Sequence, residues 1–284
     1  MIVSRPRTTG RGLLPRPAVD VPETAPVFPP ELLALVVTVV LLAGILTGVA
    51  GFGLALVATM ALATVLPPAT AVVVMIVPVL AANLSLLSDL DRGSVERCGR
   101  RFGPYIGAAL VGTLAGTALL DRLPDRPLTL GLGLVTLAFV VSAQGAIDLP
   151  GLDRLRDRCF VESRGGMLVL GGVSGLLFGA TNVGVQVVAY VRSRGLSHGL
   201  FVGVIAMVFV GINTVRAGLA AVLGLYPDTP TLVLSIVLAA PAIVGVAAGK
   251  RLRPRVPEGY REPLVLSLLA LIGLRLLAGG LGIG

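Results

Sequence analysis

Few residues inside the long apolar stretches of this chain can do chemistry, and nearly all of them are neutral. They are Thr47, Asn83, Ser85, Ser174, Thr181, Asn182, Gln186, Asn213 and Thr214, with Arg216 and Arg275 as the exceptions. The charge-free interiors of those stretches hold no Asp, Glu, Lys or His. A carboxylate relay, a metal centre and an acid–base catalytic site therefore lack their ligands there, so neither an enzyme nor a cofactor is expected. His198, the single histidine, falls in a short loop and reads as a solvated residue.

Neutral amides beside an arginine can hold an anion, provided that backbone N–H groups are bared nearby. Two glycine-flanked interruptions offer this: Gly51-Phe52-Gly53, and the run from Gly179 through Thr181 and Asn182 to Gly184. A helix broken at such a point exposes unpaired N–H groups where its second half begins, and the macrodipole concentrates positive potential there. That terminus attracts an anion without a charged side chain. The candidate binding residues are accordingly Gly51, Gly53, Asn83, Gly179, Thr181, Asn182, Gln186, Asn213, Arg216 and Arg275. For each, the plain alternative is helix–helix contact or, for Arg216, a side chain that snorkels outward. Arg216 and Arg275 lie about 12–14 Å from an expected membrane edge by helix rise.

The elements that must position these residues follow from composition. Hydrophobic residues make up 55% of the 284 and charged residues only 13%, against about 25% charged in a soluble domain. Residues 32–87 carry no ionisable group, and ~20 apolar residues already cross a bilayer. The chain is thus expected to be an integral, multi-pass membrane protein with the lipid bilayer as a partner. A folded basic domain for nucleic acid and a water-soluble enzyme are excluded. The net charge of +8 sits between the apolar stretches and reads as an orientation signal. Cys98 and Cys159 fall in Arg-rich loops and are expected to be reduced.

Pro67-Pro68 divides the first apolar run. The piece before it, 32–66, would reach ~52 Å as one helix against a ~30 Å hydrocarbon core, so it must break, and Gly51-Phe52-Gly53 is the place. Residues 165–191 repeat the arrangement. Each half then continues with three intact spans, 69–87, 103–120 and 128–147 in the first and 200–223, 230–249 and 262–283 in the second. Gly112-x3-Gly116-x7-Pro124 recurs as Gly245-x3-Gly249-x7-Pro257, Asn83 pairs with Asn213, and Gly44 and Gly51 pair with Gly172 and Gly179. The expected fold is an all-α polytopic membrane protein of two homologous four-segment halves, each opening with a broken or re-entrant helix. Its divisions are a disordered Pro/Arg-rich tail at 1–30, a first repeat at 31–147, a cytoplasmic linker at 148–165 and a second repeat at 166–284.

Loop charge bears on orientation. Loops 88–102, 148–165, 192–198 and 250–261 carry 4, 4, 2 and 5 basic residues and segments 121–127 and 224–229 carry 2 and 0, so the charge-rich side swaps between halves. That swap is what inverted repeats produce if each broken segment enters and leaves on one side. The rival layout has parallel halves and eight full crossings, and it puts loops 88–102 and 250–261 on opposite faces.

The run GILTGVAGFG, the later run GGVSGLLFGATNVGVQVVAYVRSRGLSHGLF and the repeated Gly-x3-Gly helices resemble the TauE/SafE sulfite exporter family over residues 32–283. The family's Gly-rich segments map onto Gly48, Gly51 and Gly53 and onto Gly175, Gly179 and Gly184. Many members carry denser glycines followed by a proline, which the sparse Gly51-Phe52-Gly53 and the proline-free 54–66 lack. The resemblance implies a transporter in the cytoplasmic membrane for small anions such as sulfite, sulfonates or related organosulfur compounds, working by alternating access; a second copy of the chain, in a homo-oligomer, is a further candidate partner. The alternatives are a passive anion channel and, less in keeping with the missing acid–base residues, a membrane enzyme acting on lipid phosphates.

Overall fold

The computed structural model describes residues 28–88, 92–120, 122–143, 164–192 and 198–283. The expected tail, apart from its last three residues, and the linker 148–165, apart from its last two, lie outside the described residues, as does Cys159. All regular elements among the described residues are helical, and seven helices are long and apolar enough to cross a membrane.

Helix α1 runs Pro30–Ala50, with proline in its first turn and Glu31 beside the positive end of its dipole. It stops at Gly51, whose left-handed φ of 89° lets its N–H reach Thr47 O at 2.7 Å. Gly53 follows at φ 125°, and α2, Leu54–Leu62, is buried on almost every side. Helices α3 (Pro68–Val74) and α4 (Ile76–Leu87) form one span bent at Met75. The bend has a local cause: Pro78 has no N–H to give the Val74 carbonyl, and Ser235 Oγ donates to that carbonyl instead, at 2.8 Å. The first half ends with α5, Arg92–Leu120, and α6, Asp125–Ala143.

The second half starts with α7, Arg164–Thr181, a break at 182–184, and α8, Val185–Arg192. Helix α9 is His198–Leu223. Helices α10 (Thr229–Val237) and α11 (Ala239–Leu252) share a span bent at Leu238, and α12 is Glu258–Leu281. Asp228 caps α10 by accepting from Thr231 N–H at 2.7 Å. Hydrogen bonding from the Thr231 hydroxyl, and then from its N–H, holds the Asp228 carboxyl below its ordinary pKa. A depressed carboxylate adds stability above its unfolded pKa and loses it as pH falls through the folded value. Asp228→Asn, which keeps an acceptor but cannot titrate, is expected to flatten the acid limb of a thermal-midpoint-against-pH curve relative to wild type.

Helices of one half pack chiefly on helices of the other. The principal pairs are α5 with α7, α1 with α11, α6 with α12, and α9 with both α4 and α5. The scheme reads the same from either half, since α1 on α11 and α5 on α7 exchange when the halves do. Both seams are glycine-lined. A Cβ on Gly249 would stand 2.1 Å from Ile45 O, and one on Gly175 would stand 1.9 Å from Ala109 O. Backbones this close gain dispersion contacts that lipid cannot match.

Lys250 Nζ donates to Ser85 O at 2.9 Å, and Arg253 donates to Gly48 O through Nε at 3.0 Å and Nη2 at 2.7 Å. The ends of α1, α4 and α11 therefore meet at one end of the bundle. Arg126 Nε donates to Gly280 O at 3.0 Å at the other end. In the first hairpin α1, with 21 residues, reaches full depth, ~31 Å, and only the α2 arm is short.

Candidate functional site

Arg216 sits on α9 with no solvent exposure and is the one buried charged side chain among the described residues. Its neighbours are neutral. Nη1 donates to Asn182 Oδ1 in a short contact and to Asn213 Oδ1 at 3.4 Å. The guanidinium lies 5.4 Å from the centre of the Phe178 ring, a cation–π distance. Nε and Nη2 have no partner among the described residues. Buried charge is expensive unless compensated, and here three of the five N–H donors lack an acceptor among those residues.

Asn213 stands one helical turn before Arg216, and its Nδ2 donates to Phe209 O at 2.9 Å, which turns its oxygen toward the guanidinium. Asn182 comes from the break after α7 and adopts φ 59°, the one non-glycine residue with positive φ among those described. Asparagine tolerates that conformation better than most residues. Its Nδ2 donates to Thr59 Oγ1 on α2 and to Val72 O on α3, both at 3.0 Å. Every polar atom of this amide is engaged, so it ties Arg216 to the first half of the molecule.

Gly51, Gly53 and Asn83 lie elsewhere, in the wall of a cavity of about 430 Å³ counted with its open mouth. The first turn of α2, Leu54 to Leu56, lines it, as do Gly184 and Phe209. Those three first-turn residues carry N–H groups for which the helix offers no carbonyl. Asn83 Nδ2 is engaged by Val79 O at 2.8 Å. Phe209 stacks on Phe178 with centroids 4.9 Å apart, so a ring pair joins the cavity wall to the underside of Arg216. Gly184 makes room for it: a Cβ there would lie 2.4 Å from Phe209 Cζ.

Three expectations need correction. Gly179 is helical, because α7 continues through Thr181. It lies in the seam with α5, where a Cβ would be 2.6 Å from Thr113 O, and Asn182 takes the left-handed position instead. The pairing of Gly51 with Gly179 is therefore three residues out of register, since the left-handed residues are Gly51 and Asn182. Arg275 is exposed on α12 beside exposed Leu271 and Leu274, on the face away from buried Ile272 and Leu276, so it is not part of the buried cluster around Arg216. The two breaks do meet at the cavity, since Gly51 and Gly53 of the first and Gly184 of the second all line it, while Asn182 of the second also reaches Val72 O.

Thr181 is half-buried and serves the break itself, donating to Leu177 O at 2.5 Å and accepting from Val183 N at 3.1 Å. Gln186 lies in the first turn of α8; its side chain is outside the described residues. Sequence reasoning missed Thr59, Phe178 and Phe209. The signals were a lone hydroxyl in the apolar 54–62 segment and a phenylalanine one turn before each site asparagine.

Comparison with curated proteins and with solved structures returned no match. A family model described as Sulfite exporter TauE/SafE matches residues 36–276, so the chain belongs to this family and is a membrane transporter.

Proposed function

We propose that the protein moves a small oxyanion, such as sulfite, an organosulfonate or a related organosulfur anion, across the cytoplasmic membrane by alternating access. One observation carries the reading: Arg216 is wholly buried, has no acidic partner among the described residues, and keeps Nε and Nη2 bare. Such a group is a functional site by default in a membrane interior. The inverted-repeat layout expected from loop charge is supported by the exchangeable helix pairing and by the meeting of the C-terminal ends of α4 and α11. Inverted halves flanking a central site are the arrangement in which one bundle rocks against the other.

The test is uptake of labelled sulfite and methanesulfonate into proteoliposomes by wild type and Asn182→Asp. A carboxylate at 182 supplies Arg216 with an internal counter-ion and competes with cargo. Uptake by the variant is expected to fall at least about tenfold, the effect of one charged contact worth ~1.4 kcal/mol or more. Undiminished uptake would remove Arg216 from the transport path.

A further inference from the structure

We propose that the cargo is held as a singly charged anion that places two oxygens on the Nε–Nη2 edge of Arg216, so that sulfite is taken as hydrogensulfite and dianions are refused. This rests on the reading of Arg216 as the anion site and goes beyond it in naming the ionic form.

The first argument is the shape of the free edge. A guanidinium is planar, and its Nε–H and Nη2–H point the same way, matching two acceptor oxygens on one atom. In Arg216 the remaining nitrogen, Nη1, is the one taken by Asn182 and Asn213. The bare pair is thus the two-donor edge rather than two unrelated atoms. Sulfonate, hydrogensulfite and carboxylate each present two oxygens at the needed spacing. A monatomic anion can use the edge only by sharing both donors.

The second argument is charge. Arg216 supplies one positive charge, and no other buried side chain among the described residues carries one. The rest of its contacts are amide oxygens and the Phe178 ring, which offer nothing to a second negative charge. A monoanion neutralises the site. A dianion leaves one charge uncompensated in surroundings that cannot solvate it.

Titratable groups around α9 do not alter this count. Helix α4 has none, and α5 carries Tyr105 and, toward its start, Arg92, Glu96, Arg97, Cys98, Arg100 and Arg101. Helix α7 starts at Arg164, and α8 carries Tyr190 and ends at Arg192. His198 opens α9 eighteen residues before Arg216, roughly 27 Å by helix rise. Between α9 and α10, burial pushes the Tyr226 hydroxyl above its ordinary value, so it is neutral at physiological pH and adds no charge to the count.

The experiment is ligand-dependent thermal stabilisation of the purified protein with methanesulfonate, sulfite or sulfate, at pH values on both sides of the second ionisation of sulfite. Affinity for methanesulfonate should be flat across the range. Affinity for sulfite should fall about tenfold per pH unit above that ionisation, following the loss of its singly charged form. Sulfate should give no shift. Arg216→Lys keeps the charge and loses the two-donor edge, and it is expected to bind methanesulfonate at least tenfold more weakly while unfolding at a temperature near that of wild type. Sulfate binding as well as methanesulfonate does, or sulfite affinity that ignores pH, overturns the monoanion proposal and leaves the Arg216 site standing. Stabilisation by none of the three overturns both.

Discussion

Arg216→Met is expected to abolish anion uptake while leaving the protein about as stable as wild type. Loss of a buried charge that grips its ligand directly costs about 2–5 kcal/mol of binding, or roughly 30-fold to several-thousand-fold. Stability responds differently, because the cargo-free protein holds this guanidinium without a counter-ion. Replacing a buried charge by an apolar side chain of similar length gains about 1–4 kcal/mol in favourable cases. Against that, the oxygens of Asn182 and Asn213 lose their donor, at about 1–3 kcal/mol for the closely bonded one and less for Asn213 at 3.4 Å. The two effects nearly cancel, leaving a change within about 2 kcal/mol, roughly 4–8 °C for a chain of this size. Uptake and thermal midpoint measured on the same preparation check this. A collapse of the midpoint would assign Arg216 a structural role; retained uptake would deny it a transport role.

The second large effect belongs to the glycine seams. Gly175→Ala would put a methyl group 1.9 Å from the backbone oxygen of Ala109, well inside the 3.0 Å that real Cβ contacts essentially never breach. Helices α5 and α7 must then move apart by more than an ångström, and neither backbone can yield by rotating a side chain. Overpacking costs about 1–3 kcal/mol when side chains absorb it, and the upper end or more is expected here. The same shift displaces Asn182, which α7 carries at its C-terminal end, so uptake should fall with stability. Gly172 on the same helix is the control: nothing lies within 4 Å of a Cβ built there. Gly172→Ala should be neutral or stabilising by up to about 1 kcal/mol, from helix propensity alone. Thermal midpoints and folded yield of the two variants compare them directly, and equal midpoints would refute the close seam.

Both halves of the site were announced in the sequence, unequally well. The first break was legible because 32–66 is too long for one helix and Gly51 and Gly53 can both adopt positive φ, as they do at 89° and 125°. The second was placed three residues early. Glycine serves close backbone approach and left-handed turns alike, and only packing against α5 reveals that Gly179 does the first while Asn182 does the second. Arg216 and Arg275 give the same contrast. Both interrupt apolar helices at similar distances from an end, yet one is fully buried and the other exposed.

Membrane residence, the breakpoint at Gly51, the spans and the want of acid–base groups came from residue order alone, because each depends on runs of apolar side chains and on local backbone limits. The cavity that both breaks line, the bond from Asn182 to Arg216 and the outward turn of Arg275 came only from the folded molecule. The reason is that helices apolar on nearly every face carry little periodic record of which side looks inward. Rotation about the helix axis is then set by where the neighbouring glycines let backbones meet, and that is a property of pairs of helices.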